Sequence, residues 1–203
     1  MITIGLVGGV ASGKSIVALD FQKLGACVLN GDQVGHEVLG LDSVAKKLVE
    51  RWGERVSQEQ GQLDRSAIAK IVFGNNAGSA KRELEFLESV THPEIERRLT
   101  ERLVQLKQLG RFQVAVLDAA VMLKAGWDSM CDQIVFVDAP LELRERRALL
   151  RGLNKEQFAA REAAQMTVED KKKRADIIID NSGPPQKTFK HVEKVWQSLL
   201  QIA

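Results

Sequence analysis

Gly8-Gly9-Val10-Ala11-Ser12-Gly13-Lys14-Ser15 follows the apolar run Ile2-Thr3-Ile4-Gly5-Leu6-Val7 and opens onto Ile16-Val17-Ala18-Leu19-Asp20-Phe21. Gly8, Gly13, Lys14 and Ser15 satisfy G-x-x-x-x-G-K-[ST] in the strand–loop–helix setting that this pattern requires. Glycines let the backbone curl until several N–H groups face inward, and a helix N-terminus adds partial positive charge. Lys14 can then reach terminal phosphates as a point charge, while the Ser15 hydroxyl is placed to ligate Mg²⁺. A glycine-rich turn that merely joins a strand to a helix accounts for neither Lys14 nor Ser15. The stretch predicts a nucleoside triphosphate site.

Outward from the loop, Val17, Phe21 and Leu24 recur at helical spacing, so residues 14–24 read as a helix that Gly25 ends. Ala26-Cys27-Val28-Leu29 is a short buried strand, and Asn30-Gly31-Asp32 leaves its carboxyl end. Ligands of open parallel sheets bind outside the carboxyl ends of strands, which makes Asp32 the expected catalytic carboxylate. Capping of the following helix is its structural alternative.

Strand signals then lapse. Val44, Leu48 and Trp52 form one amphipathic stripe and Leu84, Leu87 and Val90 another. Asp64-Arg65-Ser66-Ala67-Ile68 looks like a helix start, Gly74-Asn75-Asn76 like a stop, and Pro93 like the opening of a further helix over 94–109. Strands return at 113–117 before Asp118, at 133–137 before Asp138, and at 177–179. Helices are expected over 141–151 and 156–166, and a last one carries Phe189, Val192, Val195, Trp196 and Leu199 on one face. Lys171-Lys172-Lys173-Arg174 reads as a solvated helix end rather than a nucleic-acid patch. Five apolar runs joined by helices predict an α/β fold, a doubly wound parallel sheet. The expected layout is core over 1–34, 111–140 and 166–203, a helical insertion over 35–110 that binds the acceptor, and a lid over 141–165.

Composition narrows the class. The 203 residues carry 29 Lys and Arg against 27 Asp and Glu, a net charge of +2 that argues for neither nucleic acid nor membrane as partner. No apolar stretch approaches the length of a membrane span. Cys27 and Cys131 have no C-x-x-C spacing, so reduced cysteines in a cytoplasmic protein are expected.

A phosphate loop alone leaves motors, switches and kinases open. N-K-x-D, the base-reading motif of GTPases, is absent. Small size, a carboxylate after the second strand and an arginine-rich helix after the fourth together make the layout of small-molecule P-loop kinases. An acceptor hydroxyl needs a base, and a migrating phosphoryl group needs cations.

The ordered motifs resemble the dephospho-coenzyme A kinase family. The loop at 8–15 and Asp32 match its pattern, as does the His-Pro step of Thr91-His92-Pro93. Arg147, Arg151 and Gly152 resemble its lid, with Arg161 and Gln165 on the helix after it. Glu169-Asp170-Lys171 and Ala175-Asp176 lead into Ile179-Asp180-Asn181-Ser182-Gly183, similar to its last strand and adenine-side loop. The resemblance implies ATP-dependent phosphorylation of the ribose 3′-hydroxyl of dephospho-CoA, with Mg²⁺. Asp32, Lys14 and Arg147 would be catalytic. ATP would meet residues 8–15, Ile16, Arg147, Arg151, Asn181 and Gly183, and the acceptor would meet Asp32, His92, Arg161 and Gln165. Ser15 would hold Mg²⁺, with Asp118 acting through water. The chain departs from the family at Asn30 (commonly Asp), Ile16 (commonly Thr) and Arg144 (commonly Gln). Another departure is Ala120-Val121-Met122-Leu123-Lys124, where the family's Pro-Leu-Leu-Phe-Glu ends in a carboxylate. A nucleoside or nucleotide kinase is the alternative enzyme. A non-catalytic ATP-binding regulatory module is the alternative of another class.

Overall fold

A computed structural model describes residues 1–58, 62–74 and 77–202. The chain forms two compact units, Met1–Gly31 with Arg102–Ala203, and Asp32–Glu101.

The first unit is built on five parallel strands: β1 (Ile2–Gly8), β2 (Cys27–Asn30), β3 (Val114–Asp118), β4 (Gln133–Asp138) and β5 (Ile177–Asp180). Their order is β2-β3-β1-β4-β5, with β1 at the centre. All of β1 is buried, as expected of a strand covered on both faces. Its alternation decides what covers each face. Ile2, Ile4 and Leu6 join Val17 and Phe21 of α1 (Lys14–Lys23) and Val192, Trp196 and Leu199 of the C-terminal helix, Pro185–Leu200, in one apolar core. On the opposite face Gly5 lies beneath Met122 and Cys131. Burial pushes the Cys131 thiol up to about 12, with Asp128 and Asp132 adding to the effect, and both cysteines are free thiols. These strands and this winding are those the apolar runs predict.

The second unit is helical among its described residues. It contains α2 (Gly31–Leu39), which begins on the last residue of the sheet unit, α3 (Asp42–Trp52), α4 (Arg65–Val72) and most of α5 (Ala77–Leu109). Val34, Val38, Val44, Leu48, Ile68, Val72 and Leu99 are buried at helical spacing. Asp64 caps α4, its carboxylate accepting the Ser66 and Ala67 N–H groups. The stop expected at Gly74-Asn75-Asn76 is described only at Gly74, since 75 and 76 lie outside the described residues.

Pro93 does not open a helix. It sits inside α5, which runs unbroken through it and fuses the two expected segments. Proline removes one backbone donor from the ladder. In the preceding turns Ser89 Oγ donates to the Phe86 carbonyl and Thr91 Oγ1 to the Leu87 carbonyl. Ala80, Ile95, Leu99 and Leu103 are buried along the same helix. Burial of that stripe outweighs the local break. No helix among the described residues is long and apolar enough to cross a membrane.

Candidate active site

The loop at 8–15 leaves β1 at Gly8 and enters α1 at Lys14. Two backbone positions bend it: Ala11 has φ 59° and Gly13 has φ 98°. Gly13 meets the second reason for glycine as well, because a Cβ there would collide with the Asn181 carboxamide. α1 carries no side-chain cap and no acidic residue in its first turn. The positive end of its dipole is therefore offset by no acidic side chain of its own first turn, which favours an anion there. Lys14 is half-buried, Ser15 and Ile16 are exposed, and the Ser12 hydroxyl is 1% exposed with no hydrogen-bond partner among the described residues.

Side chains distant in sequence fasten the carbonyl side of this loop. Three helices supply most of them: α7 (Leu141–Leu150), α8 (Lys155–Ala163) and α9 (Val168–Lys173), numbered after the short α6 (Met122–Ala125). Arg147 donates to the carbonyls of Ser12 (3.2 Å) and Asn181 (2.9 Å). Asn181, 3% exposed, donates its Nδ2 to the same Ser12 carbonyl at 2.6 Å and accepts from Thr188 at 2.9 Å. Lys171 donates to the Gly8 carbonyl at 3.0 Å. Arg144 reaches the Val10 carbonyl at 3.4 Å and pairs with Glu162 at 2.8 Å. The other oxygen of Glu162 accepts the Val10 N–H at 2.6 Å.

The charge arrangement follows. Among the described residues Arg147 has carbonyl partners and no carboxylate, and burial followed by the Arg151 charge lowers its pKa. Lys171 is 3% exposed. Burial, then the Lys14 charge, brings its pKa down to about 8, with Glu162 opposing and Arg144 reinforcing the shift. Cations collected at one loop favour an anion there.

The carboxyl edges of β2 and β3 are held close. Asn30 is in register with Asp118, and a Cβ on Gly31 would come within 2.6 Å of the Ala119 Cβ, so this approach requires glycine. Asp32 follows directly, in the first turn of α2 and exposed. Its carboxylate takes no hydrogen bond or ion pair from another described residue. The helix-capping alternative is therefore not what the structure shows. A small cavity at the sheet edge is lined by Gly8, Lys14, Ala120, Lys124, Gln165 and Lys171, among others.

The remaining expected residues are placed as follows. Arg151 ends α7, and Gly152 beyond it adopts φ 81°, while Arg161 lies exposed on α8. Gly183 follows Asn181 in the turn after β5, and Asp118 ends β3 half-buried. His92 belongs to the helical unit, half-buried on α5.

Two things were not legible. Lys171 is not part of a solvated run: Val168 and Lys171, three apart on α9, turn inward. Lys172, Lys173 and Arg174 stay exposed, facing Asp138, Asp170 and Asp128. The signal that could have found it is the same helical spacing applied to six residues. Arg144 is buried, 5% exposed, and the Glu162 that compensates it lies eighteen positions on, with no motif to announce the pair.

The family model described as dephospho-CoA kinase matches residues 2–186. The dephospho-CoA kinase of Carboxydothermus hydrogenoformans is 35% identical over 196 residues, which cover 96% of this chain and 92% of that protein. A crystal structure from Thermus thermophilus superposes with TM-score 0.82 at 34% identity, covering 98% of this chain and 97% of that one. The dephospho-CoA kinase of Campylobacter jejuni, 24% identical, shares the fold at TM-score 0.73 over 98% of this chain and 97% of its own.

Proposed function

The chain belongs to the dephospho-CoA kinase family, and from that premise we propose that it transfers the γ-phosphoryl group of ATP to the ribose 3′-hydroxyl of dephospho-CoA. The acceptor oxygen forms a bond to phosphorus as the bond from phosphorus to the β–γ bridging oxygen breaks. ADP leaves, and the hydroxyl proton passes to the Asp32 carboxylate. Asn30 has no carboxylate and Gly31 no side chain, so Asp32 is the base available at the end of β2. Lys14 and Arg147 stabilise charge on the migrating group. The Ser15 hydroxyl and the Asp118 carboxylate are oxygen donors, the chemistry that suits Mg²⁺. Ser15 and Asp118 would hold that ion, which would neutralise charge on the phosphate oxygens.

Arg151 and Arg161, both exposed, are read as the mobile part of a lid, whereas Arg147 already rests on the loop. Asn181 and Gly183 stand on the adenine side; the Asn181 side chain is committed to the loop, which leaves base reading to backbone groups. His92, Arg161 and Gln165 are acceptor contacts in this reading. A reducing, cytoplasmic setting agrees with two free cysteines. Small molecules are its partners, and the exposed cations of the basic run, Lys172, Lys173 and Arg174, face Asp138, Asp170 and Asp128.

The observation that carries this reading is Arg147 on the loop that bears Lys14, a cation held by two carbonyls and, among the described residues, neutralised by no carboxylate. Purified protein with ATP and Mg²⁺ is offered dephospho-CoA and a panel of nucleosides and nucleotides, and ADP is measured. Release of ADP with dephospho-CoA is the expected result. Turnover with nucleosides only would move the assignment to nucleoside kinases, and nucleotide binding without any turnover would make the chain a regulatory module.

A further inference from the structure

Lys171 is nearly inaccessible, with two hydrogen-bond partners that carry no charge, the Gly8 carbonyl at 3.0 Å and Gln165 Oε1 at 2.6 Å. A buried ammonium with no carboxylate in salt-bridge contact among the described residues is costly, and a leucine or methionine would pack there more cheaply. The two partners say what the charge is for. Gly8 begins the phosphate loop, and its peptide is planar, so turning the Gly8 carbonyl toward Lys171 turns the Gly9 N–H the opposite way. Gln165 can offer either oxygen or NH₂, and an ammonium, which only donates, can bond only the oxygen. Its two N–H donors are thereby left for whatever enters the cavity that Gly8, Lys14, Gln165 and Lys171 line.

We propose that Lys171 is a positioning residue for phosphoryl transfer, whose ammonium fixes the first peptide of the phosphate loop and the donor face of Gln165 at once. It acts through those two groups and not by taking part in bond making. This rests on the kinase reading above, and the test separates the two, because loss of all activity in the unaltered protein would concern that reading alone.

The charged groups around Lys171 are Lys14 on α1, Arg144 on α7 and Glu162 on α8, with Lys124 of α6 on the shared cavity. Lys14 and Arg144 disfavour its charge before nucleotide arrives, and phosphate would favour it. The free protein therefore begins to lose the Lys171 proton near pH 8, and kcat/KM for ATP, which reports the free enzyme, should fall above that pH. Lys171→Arg keeps donors for both partners and cannot lose its charge in the working range.

Three proteins are compared, the unaltered chain, Lys171→Arg and Lys171→Met, by kcat and kcat/KM for ATP from pH 6.5 to 10 (about the range over which the amine titrates). Lys171→Met should lose up to about 100-fold in kcat/KM, the size of a geometric misplacement. Lys171→Arg should recover most of that and hold its value on the alkaline side where the unaltered protein declines. A decline that persists unchanged in Lys171→Arg, or a Lys171→Met protein with unaltered kcat/KM, overturns the proposal. If the methionine variant does not fold, the arginine profile alone decides.

Discussion

The two units place their polar groups in opposite ways. In the sheet unit, Thr3 and Asp20 are buried away from the phosphate loop, but Ser12, Arg144, Lys171 and Asn181 lie on that loop or one hydrogen bond from it, and Thr188 reaches it through Asn181. In the helical unit, Thr91 is the buried polar residue among those described, and its hydroxyl is satisfied within its own helix. There the charges stay near the surface, as in Arg97 with Glu94 and Glu101, and Arg51 with Glu83. Burying a polar group costs free energy unless every partner is present. Concentration of that cost around one loop marks where geometry matters more than stability. The helical unit needs little beyond an apolar interior.

If that contrast is right, substitutions at the loop edge should change turnover and spare stability, while the helical interior should do the reverse. The largest effect is expected at Asp32, which stands where the two units join in sequence. Asp32→Asn should lower turnover by about 100- to 10,000-fold, the range for general-base catalysis, with ATP affinity and Tm unchanged. Near-normal turnover would mean that the base lies elsewhere. Lys14→Ala should lower turnover by about 100- to 1,000-fold, as for loss of one preorganised charge, again with little change in Tm. An unaltered rate would remove the phosphate-loop assignment.

Leu99→Ala is the converse experiment. The side chain is fully buried, and its loss should cost about 2–5 kcal/mol in urea unfolding. The protein that remains folded should keep its turnover number. A loss of turnover out of proportion to the folded fraction would blur the contrast.

A smaller effect concerns pH and stability. The Lys171 pKa is lowered in the folded protein, from 10.5 to about 8. Below pH 8 the folded state carries an unfavourable buried ammonium in full. Between pH 8 and about 10.5 the folded state sheds that proton while the unfolded state keeps it, so stability from this group rises with pH. Unfolding midpoints of the unaltered protein should therefore gain on those of Lys171→Met across that window, and parallel curves would contradict the assignment. The smallest effect is at Arg97. Arg97→Ala removes two exposed ion pairs and should leave both Tm and turnover within error, as surface pairs usually do.

The sequence by itself determined what depends on neighbours along the chain. Eight consecutive residues spell the loop, because an anion nest needs adjacent backbone groups. Apolar runs mark the strands, because a strand buried on both faces has no polar position to offer. The place of Asp32 just past the end of β2 was legible because Asn30-Gly31-Asp32 follows such a run. The tertiary structure decided what depends on residues far apart. Lys171 was indistinguishable from three other cations until Gly8, 163 positions away, supplied its acceptor. Arg144 was visible in the sequence only as a departure from a common Gln on an arginine-rich helix, and only the Val10 carbonyl and Glu162 make its burial tolerable. Pro93 marks a helix start in any local reading, yet the burial of Ile95 and Leu99 carries the helix through it. Local chemistry is written in order along the chain, whereas the compensation of a buried charge or a missing hydrogen bond comes from whatever the fold brings alongside.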